Sequence, residues 1–288
     1  MKILITGASG LIGSKLNFIL GKRFDIIATN RTGNNGMVKM DITDKDNVFS
    51  VIKKSKPNFI IHSAVLNNVD YCELHNEEAW KTNVEGTRNV AQAAANNGIK
   101  LVYISTEYVF DGKNGPYSET DNPNPLGYYA KTKYEGEKIT SSICKKWIIT
   151  RTTVPYGYDT RINNFALWLI NELKNNRPVR IVNDQYSSPT LTDNFSDIMG
   201  KLIEKNKEGI YHISGPDVIN RYDFSLKIAE IFNLNKKLIK PVATKELCQK
   251  SPRPLKAGLK VDKIINELDI KPIGIKEGLL ELKSQINN

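Results

Sequence analysis

The 288-residue sequence predicts an α/β fold: a doubly wound parallel sheet with a smaller C-terminal lobe. Short β-branched runs alternate with amphipathic helical patterns through the first half. After residue 151 the texture changes to helices separated by Pro-rich pieces. A glycine-rich turn directly follows the first β-branched run.

The runs "KILIT" (2–6), "DIIAT" (25–29), "FIIHSA" (59–64), "LVYIST" (101–106) and "WIITR" (147–151) read as strands. Between them, "LIGSKLNFIL", "KDNVFSVIKK", "EEAWKTNVEGTRNVAQAAANN" and "YYAKTKYEGEKITSSIC" repeat apolar residues three or four apart, the spacing of one helix face. Such alternation requires right-handed crossovers, hence a parallel sheet covered on both faces. Further helical patterns fall near 163–174, 192–205, 221–233 and 275–286, separated by "NRPVRIV", "YSSPT" and "SPRPLK".

Composition excludes several classes. No run approaches the ~20 apolar residues of a membrane span. The start "MKILITGASGLIG" is broken by its glycine turn and lacks a signal-peptide layout, so a cytoplasmic protein without a membrane partner is expected. Cys72, Cys144 and Cys248 lie far apart without CxxC spacing, so neither a disulfide framework nor a metal site is expected. The formal charge of +10 comes from Lys and Arg interleaved with Asp and Glu, so a nucleic-acid partner is not expected either.

"TGASGLIG" places Gly7, Gly10 and Gly13 between the first strand and the first helix. Gly7 permits the tight turn, Gly10 lets backbone approach a pyrophosphate, and Gly13 allows close helix packing, the dinucleotide fingerprint of a Rossmann-type sheet. The helix N-terminus offers free N–H groups to the phosphates. A NAD-selective site carries an acidic residue at the end of the second strand. Here Asn30 and Arg31 stand there, so NADP(H) is expected, with NAD(H) as the alternative. Residues 1–155 are therefore expected to form the NADP-binding domain, with some later segments returning to it, and 156–288 mainly a substrate-binding lobe.

The stretch "YYAKTKYEGEK" holds two pairs of Tyr and Lys four residues apart, Tyr129 with Lys133 and Tyr134 with Lys138. Each pair shares one helix face. Five residues turn a helix by about 140°, so the two pairs cannot face one cleft. Pro125 favours a helix start just beyond it, which puts Tyr129 in the first turn near the sheet's carboxyl edge, where ligands bind.

"STEYVFDG" at the end of the fourth strand, "YAKTK" opening the next helix, and the N-terminal glycines together resemble the extended short-chain dehydrogenase/reductase family. The likeness spans nearly the whole chain. It implies cofactor contacts from Gly7, Ser9, Gly10, Leu11, Ile12 and Gly13, from Asn30 and Arg31, from Asp41 and Ile42 in "DIT", from Ser63, Ala64 and Val65 in "HSAV", and from Asn83 in "NVEGTRNV". It also implies that Tyr129 gives a proton to the substrate oxygen as hydride arrives from the nicotinamide. Lys133 would bind the nicotinamide ribose and make the phenol a usable acid, and Thr106 would hydrogen-bond the carbonyl oxygen.

Within that family the order of "STEYVFDG", "PYSETDNPNPLGYYAKTKYEGEK", "NNF" and "NDQYSSPT" is similar to the dTDP-4-dehydrorhamnose reductases, which act on a nucleotide-linked 6-deoxyhexulose. That likeness implies a nucleotide-sugar cleft lined by Thr106, Glu107, Tyr129, Val154, Asn164, Phe165, Gln185, Pro189, Thr190 and Arg253. The chain departs from it at Val154, where a Trp is usual, and in "SPRPLKAGL", which keeps Arg253 and Pro254 but lacks the usual Asn or Ser. A reductase of another 4-keto hexose, or an epimerase, is an alternative. Sugar 4,6-dehydratases carry Asp then Glu after the Thr, and Glu107 followed by Tyr108 lacks that second carboxylate. The β subunit of methionine adenosyltransferase also resembles this pattern, which keeps a non-catalytic regulatory role open, as is self-association into a homodimer.

Overall fold

Ile3, Leu4 and Ile5 have no solvent exposure, because strand β1 (Lys2–Thr6) runs through the middle of a sheet covered on both faces. The structure is a computed structural model that describes residues 1–287. The sheet continues with β2 (Asp25–Asn30), β3 (Val38–Lys39), β4 (Phe59–His62), β5 (Lys100–Thr106), β6 (Trp147–Thr152) and β7 (Gly209–His212). Its order is β7-β6-β5-β4-β1-β2-β3 and every pairing is parallel. The chain moves outward from β1 first on one side and then on the other, the doubly wound Rossmann arrangement, which puts the switch point beside the carboxyl ends of β1 and β4.

Two apolar layers flank the sheet. On one face Leu16 and Leu20 of α1 (Leu11–Leu20) meet Phe195, Ile198, Met199 and Leu202 of a helix over Thr192–Glu204, together with Ile264 and Leu268 of the Asp262–Leu268 helix. On the other, Val48 and Ile52 of α2 (Lys45–Ser55), Val90, Ala91 and Ala94 of α3 (Gly86–Asn96) and Ile139 of α4 (Tyr128–Ile143) cover Leu4, Ile60 and Leu101. Burying each large aliphatic side chain contributes about 1.5–3 kcal/mol. A third cluster belongs to the C-terminal half. There α5 (Phe165–Lys174), α6 (Arg221–Ile231) and a helix over Ile275–Asn287 pack beside a parallel pair of strands, Val179–Val182 with Ile239–Val242.

Several elements differ from the sequence reading. β4 stops at His62, not residue 64, because the N–H groups of Ser63 and Ala64 turn to donate to the Thr6 hydroxyl at 3.1 and 3.0 Å. The single helix expected over 77–97 is three pieces: Asn76–Trp80, a π-helical turn at Lys81–Glu85, and α3. Its cause is visible at Asn83, whose side chain accepts from Leu66 N–H at 2.8 Å and donates to the Leu66 carbonyl at 3.1 Å and to the Thr132 hydroxyl at 3.0 Å. Among the described residues no helix is long and apolar enough to cross a membrane.

Candidate active site

The turn after β1 is built by backbone that side chains would obstruct. Gly7 has φ +64°, and a Cβ there would lie 2.7 Å from the Ala64 Cα. A Cβ on Gly13 would run into the Gly7 carbonyl oxygen. Helix α1 begins after Gly10 with no side-chain cap and no acidic residue in its first turn, and Ser14 N–H is the donor that reaches the Gly10 carbonyl, at 2.7 Å. The amides of Leu11, Ile12 and Gly13 are thus left for an anion at the positive end of the helix.

These residues open on a cleft of about 850 Å³, whose wall includes Gly7, Ser9, Gly10, Leu11, Ile12, Asn30, Arg31, Asp41, Ile42, Ser63, Ala64 and Val65 together with Val154, Asn164, Phe165 and Arg221. Asn30 is buried and shapes the turn after β2, its Oδ1 accepting from Gly33 N–H at 2.6 Å and its amide donating to Asn34 at 2.7 Å. Arg31 is exposed at the cleft wall, and no ion pair engages it among the described residues. Asp41 accepts from the N–H and hydroxyl of Thr43 at 2.9 and 2.8 Å, fixing the turn that presents Ile42. Gly13 and Asn83 stand outside the wall: Gly13 is pressed against the Gly7 turn, and Asn83 braces Leu66 from behind. Free amides at a helix N-terminus plus an unpaired Arg at the end of β2 suit a dinucleotide bearing a 2′-phosphate.

The reactive groups gather at the same carboxyl edge. Gly127 begins α4, and Tyr128 N–H is capped by the Glu73 carboxylate at 2.8 Å, so Tyr129 falls in the first turn. Thr106 ends β5, and its hydroxyl accepts from Tyr108 N–H at 3.2 Å. Burial raises the Tyr129 pKa well above the usual phenol value, helped by the Cys72 thiol and the Tyr108 phenol, while the nearby Thr106 hydroxyl works against the rise. Tyr129 is therefore a protonated phenol at neutral pH. Lys133 does not reach toward it: its ammonium donates to the Ile104 carbonyl at 2.7 Å, lies 4.1 Å from the Tyr103 ring centroid, and is pushed down to about 7 by burial. The second pair lies elsewhere. Tyr134 packs on Val109, Phe110, Tyr117 and Leu259, and Lys138 is paired with Glu135 at 3.1 Å over the Tyr134 ring.

Of the residues expected to line a sugar-nucleotide cleft, Val154, Asn164 and Phe165 are in the wall, while Thr106, Glu107, Tyr129, Gln185, Pro189, Thr190 and Arg253 are not. Val154, held at φ +40°, and Phe165 reach the wall. Asn164 also lies there, with its side chain engaged as the cap of α5 and as a donor to the Gly157 carbonyl at 2.8 Å. Glu107 is only 2% exposed, its Oε2 has no hydrogen-bond partner, and burial pushes its pKa up to about 8. Arg253 is paired with Asp70 at 2.9 Å. Gln185 instead bonds to Thr244 and Gln249, Thr190 is buried with its hydroxyl on the Thr153 carbonyl at 2.7 Å, and Pro189 is buried beside it. The sequence reading missed Arg221, Tyr108 and Asp70. Only Arg221 had a local signal, a cation in the first turn of a helix, where the dipole disfavours it.

The family described as "RmlD substrate binding domain" matches residues 1–287. The dTDP-4-dehydrorhamnose reductase of Aggregatibacter actinomycetemcomitans is 33% identical, over 98% of this chain and 98% of that protein. The methionine adenosyltransferase 2 subunit beta of Bos taurus is 31% identical, over 96% of this chain and 87% of that protein. A crystal structure of dTDP-4-dehydrorhamnose reductase from Bacillus anthracis str. Ames, in complex with NADP, superposes with a TM-score of 0.92 at 32% identity, covering 99% of each chain. A match over all but the last residue, joined to the same fold, settles the affiliation: the chain belongs to the RmlD substrate binding domain family.

Proposed function

We propose that this protein is an NADPH-dependent oxidoreductase that reduces the 4-keto group of a nucleotide-linked 6-deoxyhexulose, as the dTDP-4-dehydrorhamnose reductases do, giving dTDP-L-rhamnose or a related sugar nucleotide. The observation that supports it is the placement of Thr106 at the end of β5 and of Tyr129 in the first turn of α4, both at the carboxyl edge of the sheet, where the cleft with the α1 amides also opens. The dinucleotide, when bound, supplies the hydride. Thr106 and Tyr129 hydrogen-bond the keto oxygen, and Tyr129 gives it the proton that completes the alcohol. Lys133, anchored to the strand that carries Thr106 through the Ile104 carbonyl, would have to leave that bond to reach the cofactor ribose. The position after Glu107 is Tyr108 rather than a second carboxylate, which favours reduction over loss of water.

In this reading residues 1–155 bind the cofactor, with later segments returning to the sheet, and 156–288 mainly hold the sugar nucleotide. Gln185, Pro189 and Thr190 shape that lobe from within. The protein acts in the cytoplasm, with no nucleic acid, as a homodimer whose mass sedimentation would report. Loss of NADPH absorbance with a panel of nucleotide-linked 4-keto sugars tests the reaction. The likeness to methionine adenosyltransferase 2 subunit beta supports a second, regulatory reading. Silence across the panel, with co-purification of a synthetase partner, would replace the first reading with the second.

A further inference from the structure

Arg221 is a cation that the cleft leaves unanswered. It opens α6, its guanidinium lies 4.5 Å from the Phe165 ring centroid, and among the described residues no carboxylate comes within ion-pair reach of it. Its neighbours do not supply a negative charge. Arg253 is already committed to Asp70 at 2.9 Å. Glu107 is buried with an unpartnered Oε2 and is mostly protonated below pH 8. Burial lowers the Arg221 pKa, the Tyr108 phenol and Glu107 pull it back up, and Arg253 pushes it down again. With Glu107 neutral, Arg221, Arg253 and Asp70 leave one net positive charge in a poorly solvated place, a cost that a ligand anion removes.

Its place over the Phe165 ring also restrains the guanidinium, so less freedom is lost when its fork meets two oxygens. A phosphate presents oxygens at that spacing. In a nucleotide sugar the diphosphate is the anionic part; Arg221 is supplied to the cleft by the C-terminal half, whereas the amides that suit the cofactor's own phosphates belong to α1.

Resting on the nucleotide-sugar reading above, we propose that Arg221, lying over the Phe165 ring, grips the diphosphate of the substrate and makes the cleft select nucleoside diphosphates over monophosphates. Calorimetric titration of the full chain with dTDP, dTMP and NADP⁺ tests this without turnover. Arg221→Met is expected to weaken dTDP by about 30-fold or more, to change dTMP much less, and to leave NADP⁺ unchanged. Arg221→Lys, which keeps the charge without the fork, should fall between wild type and Met, and it keeps the test decisive should Arg221→Met not fold. A variant that holds the wild-type ratio of dTDP to dTMP affinity, or that loses NADP⁺ in parallel, overturns the proposal. The reaction fails separately: dTDP bound through Arg221 without any NADPH oxidation would sink the reductase reading and leave this site standing.

Discussion

Lys133 Nζ lies 2.7 Å from the Ile104 carbonyl oxygen, a bond that ties the helix carrying Tyr129 to the strand carrying Thr106. The ammonium is 4% exposed, and burial lowers its pKa from 10.5 to about 7, with Glu137 pulling the other way. Below about pH 7 the group is protonated in folded and unfolded chains alike, and the burial cost is fully felt. Between about 7 and 10.5 the unfolded chain holds a proton that the folded one has released, so stability rises with pH. Relative to Lys133→Met, wild type should gain about 2 kcal/mol in urea unfolding between pH 7 and 9. Parallel behaviour of the two proteins would mean that Lys133 stays charged when buried.

Tyr129→Phe removes the proton donor and keeps the ring. We expect kcat to fall by about 10²- to 10⁴-fold while NADPH still binds, as followed by its fluorescence. Tyr134→Phe, in the packing cluster with Phe110 and Leu259, should leave kcat nearly unchanged. The opposite pattern would move the chemistry to the other face of α4.

Among the described residues Arg31 stands at the cleft wall without an ion-pair partner, and Asn30 is spent on its own turn. A 2′-phosphate would give Arg31 a charge-assisted bond that NADH cannot offer. Arg31→Ala should therefore raise KM for NADPH about tenfold more than KM for NADH. Equal losses with both cofactors would remove Arg31 from cofactor choice.

The sequence made the frame of the sheet legible because five of its strands are β-branched runs and the Gly7 turn follows the first of them. β3 has only two residues, and β7, GIYH, is as long as β4 but holds a single β-branched residue. The π-turn at Lys81–Glu85 depends on Asn83 reaching Leu66, a tertiary bond that no local pattern encodes. Helix geometry, with Pro125 and the surrounding motif, separated Tyr129 from Tyr134. What it could not give was the direction of the Lys133 ammonium, which a carbonyl 29 residues earlier decides. Thr190 and Gln185 show the same limit, because their bonds run to Thr153 and to Thr244 and Gln249.

Arg151 and Glu137 form a two-pronged pair, Nε to Oε1 at 2.9 Å and Nη2 to Oε2 at 2.7 Å, with side chains 2% and 4% exposed. Ser105 also donates to Glu137 at 2.6 Å, so one carboxylate fastens α4 to both β5 and β6. Removing one partner leaves a buried charge without its counter-charge, and Arg151→Met should cost about 3–5 kcal/mol in urea unfolding. Arg151→Met combined with Glu137→Leu removes both charges, and the double variant should recover much of that loss. Because the pair sets where α4 lies against β5, the double variant should still show a lowered kcat, with the distance between Thr106 and Tyr129 no longer held. Strict additivity of the two single losses would mean that the pair is two separate contacts and does not lock the helix in place.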